Sequence, residues 1–329
     1  MVLRATSLNE LTDTLAFGNS RGEKVAVFDL SALNRVVEHT PEDMTVTAEA
    51  GLTLDDLQTQ LAKRGQWLPI DPPNPKDTTI SEILNANLSG PRRFGCGIIR
   101  DHLIGLKVVL ADGRVIKSGG KVVKNVAGYD LQKLFVGSRG SLGVIVEATF
   151  KLRPLPETER FVLAHCESLE RAGELIESVL DSEVAPLVLD LHHLSTLNPS
   201  ASADCGATAP KQSEDGQLST VLGFAGTREE VDWQLAKACE LGFSEPANLD
   251  YEKSFWVESS SAHRLSVLPS RTIETIRGLG HVSFVARAGN GVIYYRGGTP
   301  PPKAAFPVNL LRRVKDAYDP KHTLPDLPT

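Results

Sequence analysis

Four stretches of this chain gather glycines, hydroxyl residues and basic side chains densely enough to hold an anion. The first runs from Thr78-Thr79-Ile80-Ser81-Glu82 through Asn87-Leu88-Ser89-Gly90-Pro91-Arg92-Arg93. The second is Phe94-Gly95-Cys96-Gly97-Ile98-Ile99-Arg100-Asp101-His102, and the third spans Gly119-Gly120-Lys121 to Asp130-Leu131. The fourth is Gly137-Ser138-Arg139-Gly140-Ser141-Leu142-Gly143-Val144-Ile145. Each alone reads as an ordinary glycine turn. Together they set small residues beside strand and helix ends, where free backbone N–H groups can approach a diphosphate. Arg92, Arg93, Lys121 and Lys124 are available for charge. None has the strand–G-x-G-x-x-G–helix form or the P-loop form. The residues themselves therefore point to an anionic cofactor site on a fold other than the Rossmann fold, and no further.

Other chemistries find less support. His192-His193 lacks a third ligand at metal spacing and reads as a polar strand end. Cys96, Cys166, Cys205 and Cys239 contain no C-x-x-C pair, so disulfides, zinc and iron–sulfur ligation are not expected, and all four read as small buried side chains. A net charge of -6 argues against a nucleic-acid binder. No apolar run reaches membrane-spanning length, and MVLRATSLNELTD carries no export pattern. A cytoplasmic location is expected, with any contact to the inner membrane made through a partner.

The elements that must position these stretches can be read from periodicity. With 329 residues, two domains are expected. Ala26–Leu30 and Met44–Ala50 read as strands. Thr53–Lys63 reads as a helix with Leu54, Leu57 and Leu61 on one face and Thr53 as N-cap. Asp71-Pro72-Pro73-Asn74-Pro75 forces an extended turn, and a short helix is expected over Ser81–Asn87. Gly105–Ala111 and Arg114–Ser118 form a hairpin turned at Asp112-Gly113. Val144–Leu152 is a strand with alternating faces. Pro154 and Pro156 mark the boundary, giving domains over 1–155 and 156–329. The second half alternates strands with helices over Leu169–Asp181 and Arg228–Leu241, which suggests mixed α+β architecture on an antiparallel sheet. Asn198–Gly216 is expected to be a surface loop. A closing helix, Lys303–Tyr318, is expected to return to the first domain.

The run from Ser89-Gly90-Pro91 to Pro154-Leu155-Pro156, with KNVAGYDL at Lys124–Leu131 and GSRGSLGVI at Gly137–Ile145, resembles the smaller FAD-binding subunits of bacterial glycolate oxidases. These belong to the vanillyl-alcohol-oxidase-like, PCMH-type FAD-binding flavoproteins. The likeness extends back to Phe28, weakens after Pro156, and returns at RLSVLPSR, ARAGNGVIYYRG and LLRRVKDAYDP. It implies an α+β fold, a PCMH-type FAD domain followed by an α+β cap domain. It also implies FAD lined by Pro72, Thr78, Ile80, Ser81, Asn87 and Gly90, then by Gly97, Ile99 and Asp101, then by the backbone of Gly143, Val144 and Ile145. Lys124 and Tyr129 fall near the flavin region in the family; as residues they read equally well as a solvated lysine and a core tyrosine.

Two departures stand out. The family opens with a P-x-G-G-G-T loop, expected just upstream of Leu15, where Asn9–Thr14 stand instead; the domain therefore reads as N-terminally truncated, without its leading strand and helix. The family's T-I-G-G is here Thr79-Ile80-Ser81-Glu82. A carboxylate ~6 Å from a diphosphate at an effective dielectric of ~20 costs roughly 3 kcal/mol, unless Glu82 turns outward or pairs with Arg92 or Arg93. A stretch matching the larger subunit's H-A-G-D-G-N-L-H, Ala286–Ile293, lacks both histidines, so no general base is assigned. The resemblance implies an FAD-binding subunit of a 2-hydroxy acid oxidase complex, with a larger flavin subunit and an iron–sulfur subunit as partners. A non-catalytic assembly subunit of such a complex is the competing reading.

Overall fold

A computed structural model describes residues 2–25, 27–120, 130–194, 216–257, 262–298 and 307–327. Lys121, Lys124, Tyr129, Cys205 and nearly all of the Asn198–Gly216 stretch lie outside the described residues. The chain divides into two compact units. The first comprises Met1–Gly90, Gly97–Leu155 and Lys303–Thr329; the second comprises Pro91–Cys96 and Pro156–Pro302.

The first unit opens with β1 (Val2–Arg4), α1 (Leu8–Arg21) and β2 (Val27–Asp29). The two strands pair in parallel, Val2 opposite Val27 and Arg4 opposite Asp29. The expectation of a missing leading strand and helix is thus corrected: both are present, and Asn9–Thr14 is helix rather than the place of a lost loop. Local chemistry explains it. The Ser7 side chain caps the helix by accepting from the Glu10 N–H, and Gly22 closes it in the left-handed region at φ 68°. Leu11 and Leu15 are fully buried four residues apart.

Next come β3 (Val36–Thr40), β4 (Thr45–Glu49), α2 (Leu54–Ala62), β5 (Gln66–Trp67) and α3 (Ile80–Ala86). After α4 (Arg93–Cys96), which belongs to the second unit, follow α5 (Ile99–His102), β6 (Leu103–Val109), β7 (Val115–Gly119), α6 (Gln132–Phe135), β8 (Val144–Lys151) and β9 (Arg153–Pro154). An antiparallel five-stranded sheet has the order β3-β4-β8-β6-β7. The expected alternation along β8 holds only from Glu147 onward; Val144, Ile145 and Val146 are all buried, so this end of the strand is covered on both faces. On β4 every residue is buried, its threonines included, because Thr47 shares a 2.9 Å hydroxyl–hydroxyl hydrogen bond with Thr149 opposite it.

The second unit carries β10 (Thr158–His165), α7 (Leu169–Leu180), β11 (Val188–His193), β12 (Ser219–Gly226), α8 (Arg228–Glu240), β13 (Glu245–Ala247), α9 (Asp250–Val257), β14 (His263–Ser266), α10 (Thr272–Leu279), β15 (Ser283–Arg287) and β16 (Val292–Arg296). Its seven strands pair antiparallel in the order β13-β10-β12-β11-β15-β16-β14. Pro91–Cys96 docks here: the Gly95 N–H donates to the Leu187 carbonyl at 3.0 Å, and a Cβ on Gly95 would lie 2.8 Å from the Leu187 Cα. Cys96 and Cys166 are buried, but Cys239 is exposed, contrary to the sequence reading. The buried face of α8 runs through Val231 and Ala238, and Cys239 is turned about 100° away from the latter. The last helix, α11 (Val308–Tyr318), lies in the first unit. No helix among the described residues is long and apolar enough to cross a membrane.

Candidate functional site

The first and fourth glycine-rich stretches meet in the first unit through the end of α3. The Gly137 N–H donates to the Leu84 carbonyl at 2.8 Å, and the Arg139 N–H to the Asn85 carbonyl at 3.0 Å. These satisfy carbonyls that a terminating helix leaves open. Asn87 closes α3 in the left-handed region at φ 50°. The loop that follows α6 is itself tightly turned, with Gly137, Arg139 and Gly140 all at positive φ.

The result is an open cleft of about 520 Å³. Thr78 and Ser81, Asn85 and Leu88, and Arg139, Gly140 and Val144 line it, together with Asn74, Asp77, Glu82, Ala86 and Pro325. Near the junction Asn85 Oδ1, Asn87 Oδ1 and Ser138 Oγ are buried and have no hydrogen-bond partner among the described residues. Buried polar groups are ordinarily paired, so such a group of orphans marks a place where a ligand or water completes the bonding. Gly140 faces open space, with no atom within 4 Å of where its Cβ would be.

The other predicted positions have different roles. Ile80, Ile99 and Ile145 are fully buried core side chains, and Pro72 is buried. A Cβ on Gly90 would fall 1.8 Å from the Asp71 carbonyl oxygen, and one on Gly143 would fall 2.4 Å from Val108 Cγ1. Both glycines are therefore required by packing within the chain. Gly97 adopts φ 85°, and the neighbouring Asp101 carboxylate accepts from the Ile98 N–H at 2.9 Å. Thr78 Oγ1 donates to the Pro73 and Asn74 carbonyls, holding the proline turn against α3.

The start of α3 is closed by the chain itself. Thr79 Oγ1 accepts from the Glu82 N–H, while the Glu82 carboxylate accepts from the Thr79 N–H at 2.7 Å and from its hydroxyl at 3.0 Å. Glu82 thus neither turns away nor pairs with Arg92, which makes a bidentate contact with Glu159 at 2.7 and 2.6 Å within the second unit. The signal was present in the sequence, since Thr-x-x-Glu ahead of an apolar helix is a capping box. Beside it, a second hollow of about 290 Å³ is bounded by Asp29, Leu30, Ser31, Gly51, Thr79, Ser81 and Glu82. This is the carboxyl end of the parallel pair, where ligands ordinarily bind in such sheets. Here the turn after β2 contains no glycine and follows directly on Asp29, the last residue of the strand. Gly51 is needed for contact, as its Cβ would meet the Leu30 carbonyl oxygen at 1.9 Å.

A second polar centre lies inside the second unit. The Arg287 guanidinium lies 5.7 Å from the Tyr294 ring centroid. It is fully buried and contacts both Asp190 and Glu252 through Nη1. The Tyr251 hydroxyl donates to Asp190 Oδ2 at 2.6 Å, and His192 stacks on Tyr251 at 4.4 Å. Burial raises the Asp190 carboxyl to about 7, against the opposing pull of Arg287. Burial lowers the His192 imidazole to about 4. Among the described residues no three His, Cys, Asp or Glu side chains gather so as to hold a metal ion.

The first unit has the fold of a PCMH-type FAD-binding domain. Residues 2–119 match the family described as FAD binding domain. Over 165 residues the chain is 39% identical to glycolate oxidase subunit GlcD of Bacillus subtilis, half of this chain and 35% of that protein. It is 34% identical over 150 residues to glycolate oxidase subunit GlcE of Escherichia coli, 45% of this chain and 43% of that protein. A probable mitochondrial D-lactate dehydrogenase of Danio rerio is 34% identical over 160 residues, 48% of this chain and 32% of that protein. The chain therefore spans well under half the length of these relatives. An alkyldihydroxyacetonephosphate synthase structure superposes with a TM-score of 0.70 over 98% of this chain and 76% of that one, at 16% identity, which shows a shared fold.

Proposed function

We propose that this chain is the FAD-domain subunit of a 2-hydroxy acid oxidase of the glycolate oxidase kind, acting with a larger flavin subunit and an iron–sulfur subunit. The observation that carries this reading is the meeting of Thr78–Leu88 with Arg139–Val144 at one cleft, whose lining includes Asn85 with its buried, unpartnered Oδ1. The names of the GlcD and GlcE relatives support the substrate class and the assembly. Thr78, Ser81, Asn85 and Arg139 would hold FAD there, with Val144 as an apolar wall. The flavin, when bound, supplies the two-electron redox chemistry. The chain's part is to orient it and to donate hydrogen bonds from Ser81 Oγ and the Arg139 guanidinium, both in the lining of the cleft.

Glu82 favours a second reading, a subunit that keeps the fold for assembly and binds FAD weakly. Its carboxylate already uses the Thr79 N–H and hydroxyl, and it adds negative charge where the diphosphate would lie. Purifying the full chain and titrating it with FAD separates the two. Near-stoichiometric flavin absorbance retained through desalting supports the flavoprotein; a chain that stays colourless at high FAD supports the assembly subunit.

A further inference from the structure

Lys315 is the buried residue of α11, a helix whose other side chains are exposed or half-buried. Its ammonium lies 2.8 Å from the Ser141 carbonyl oxygen, 2.6 Å from Asp319 Oδ2, 2.9 Å from the Pro325 carbonyl and 3.3 Å from the Leu324 carbonyl. Three ammonium protons thus face four acceptors, which saturates the donor. The side chain is 3% exposed and that of Asp319 fully buried. Lysines are rarely buried without such pairing, and burying this pair is costly in itself. The arrangement fixes geometry: the Asp319 carboxylate also accepts from the Thr323 and Leu324 N–H groups, folding the tail so that Pro325 enters the wall of the cleft. The other acceptor, Ser141, directly follows Arg139 and Gly140, which line the same cleft at positive φ.

We infer that Lys315 is a positioning residue for the cofactor cleft, tying the segment Leu324–Pro325 to the Gly137–Gly143 loop so that both are preformed before a ligand arrives. The inference rests on the FAD reading for its ligand and on the clamp alone for its geometry. Within the Gly137–Gly143 loop Arg139 sits at φ 52°, a conformation costly for a residue with a side chain, which persists only when its surroundings hold it. A wall set in place in advance spares the ligand the cost of ordering it.

The test is FAD titration of the full chain with amide hydrogen exchange on the same samples. Lys315→Met is expected to weaken FAD binding at least tenfold and to speed exchange at Arg139, Gly140, Ser141 and Leu324. Leu57→Ala, at a buried α2 position that does not line the cleft, serves as a control of comparable stability loss and is expected to leave FAD affinity unchanged. Lys315→Met with wild-type affinity overturns the inference, as does a matching loss in Leu57→Ala. If Lys315→Met does not fold, Pro325→Gly, which keeps the buried ammonium, is expected to weaken FAD severalfold; no change overturns the inference. If the wild-type chain takes no FAD, the flavoprotein reading fails. The clamp is then judged by exchange: unchanged rates in the Arg139–Ser141 segment overturn it, and faster rates support it.

Discussion

The Glu82 carboxylate accepts from both the backbone N–H and the hydroxyl of Thr79, the first at 2.7 Å. An internal carboxylate thus takes the place at the start of α3 where an incoming anion would find donors. Glu82→Gln keeps an acceptor for the capping box and removes the charge. Because Glu82 is exposed, solvent and salt reduce the full Coulomb penalty, and about tenfold tighter FAD binding is expected. The gain, measured by titration at low and high ionic strength, is expected to shrink with salt. Equal affinity of variant and wild type at low salt would rule out this charge effect.

Arg92 offers a contrast. Its sequence neighbourhood suggests a phosphate contact, but its guanidinium is committed to Glu159, with the two side chains 19% and 25% exposed. Arg92→Ala is expected to leave FAD affinity unchanged and to destabilise the second unit by about 1–2 kcal/mol. Chemical denaturation and FAD titration on one preparation check both halves.

Two glycines separate packing from ligand space. Gly90→Ala puts a methyl 1.8 Å from the Asp71 carbonyl oxygen and is expected to cost at least about 3 kcal/mol in urea unfolding. Gly140→Ala meets no atom but must hold φ 77°, so a loss of about 1–2 kcal/mol is expected. A larger loss at Gly140 than at Gly90 would contradict the assignment.

The buried Asp190 and His192 titrate against each other. Asp190, raised by burial from 3.8 to about 7, stabilises the folded chain most at low pH, and this is lost as pH climbs through about 7. His192, lowered by burial from 6.5 to about 4, stabilises it above 6.5, and this is lost as pH falls towards 4. The two contributions run in opposite directions over the same window. Thermal stability of the wild type is expected to be nearly flat between pH 4.5 and 6.5 in this respect, roughly the span between the two shifted values. His192→Gln is expected to gain stability on acidification across that window. A variant profile parallel to that of the wild type would count against the pairing.

Most elements of the fold were legible because their signals are local. The Thr53 cap, the Leu54, Leu57 and Leu61 face, and the Asp112-Gly113 turn all appear as read. β1 and α1 run against the family pattern and are announced only by the Ser7 cap and the Leu11–Leu15 spacing, whereas β2 falls within the expected Ala26–Leu30 strand. The site was less legible, for a physical reason. Gly90 and Gly143 look identical in sequence to cofactor-facing glycines, yet the contacts that require them come from Asp71 and Val108, in other elements. Arg139 and Pro325 reach the cleft only through backbone bonds and a tail distant in sequence. The Thr79–Glu82 box, in contrast, could have been found from its spacing.

The Val25 N–H donates to the Thr323 carbonyl at 2.7 Å, joining two parts of one compact unit across nearly the whole sequence. During synthesis, the sheet of the first unit emerges early, but its closure must await residues beyond Lys303, after the second unit has left the ribosome. A contact of such long sequence separation makes for slow completion of folding. The nascent first unit is thus the part exposed to chaperones and to premature association.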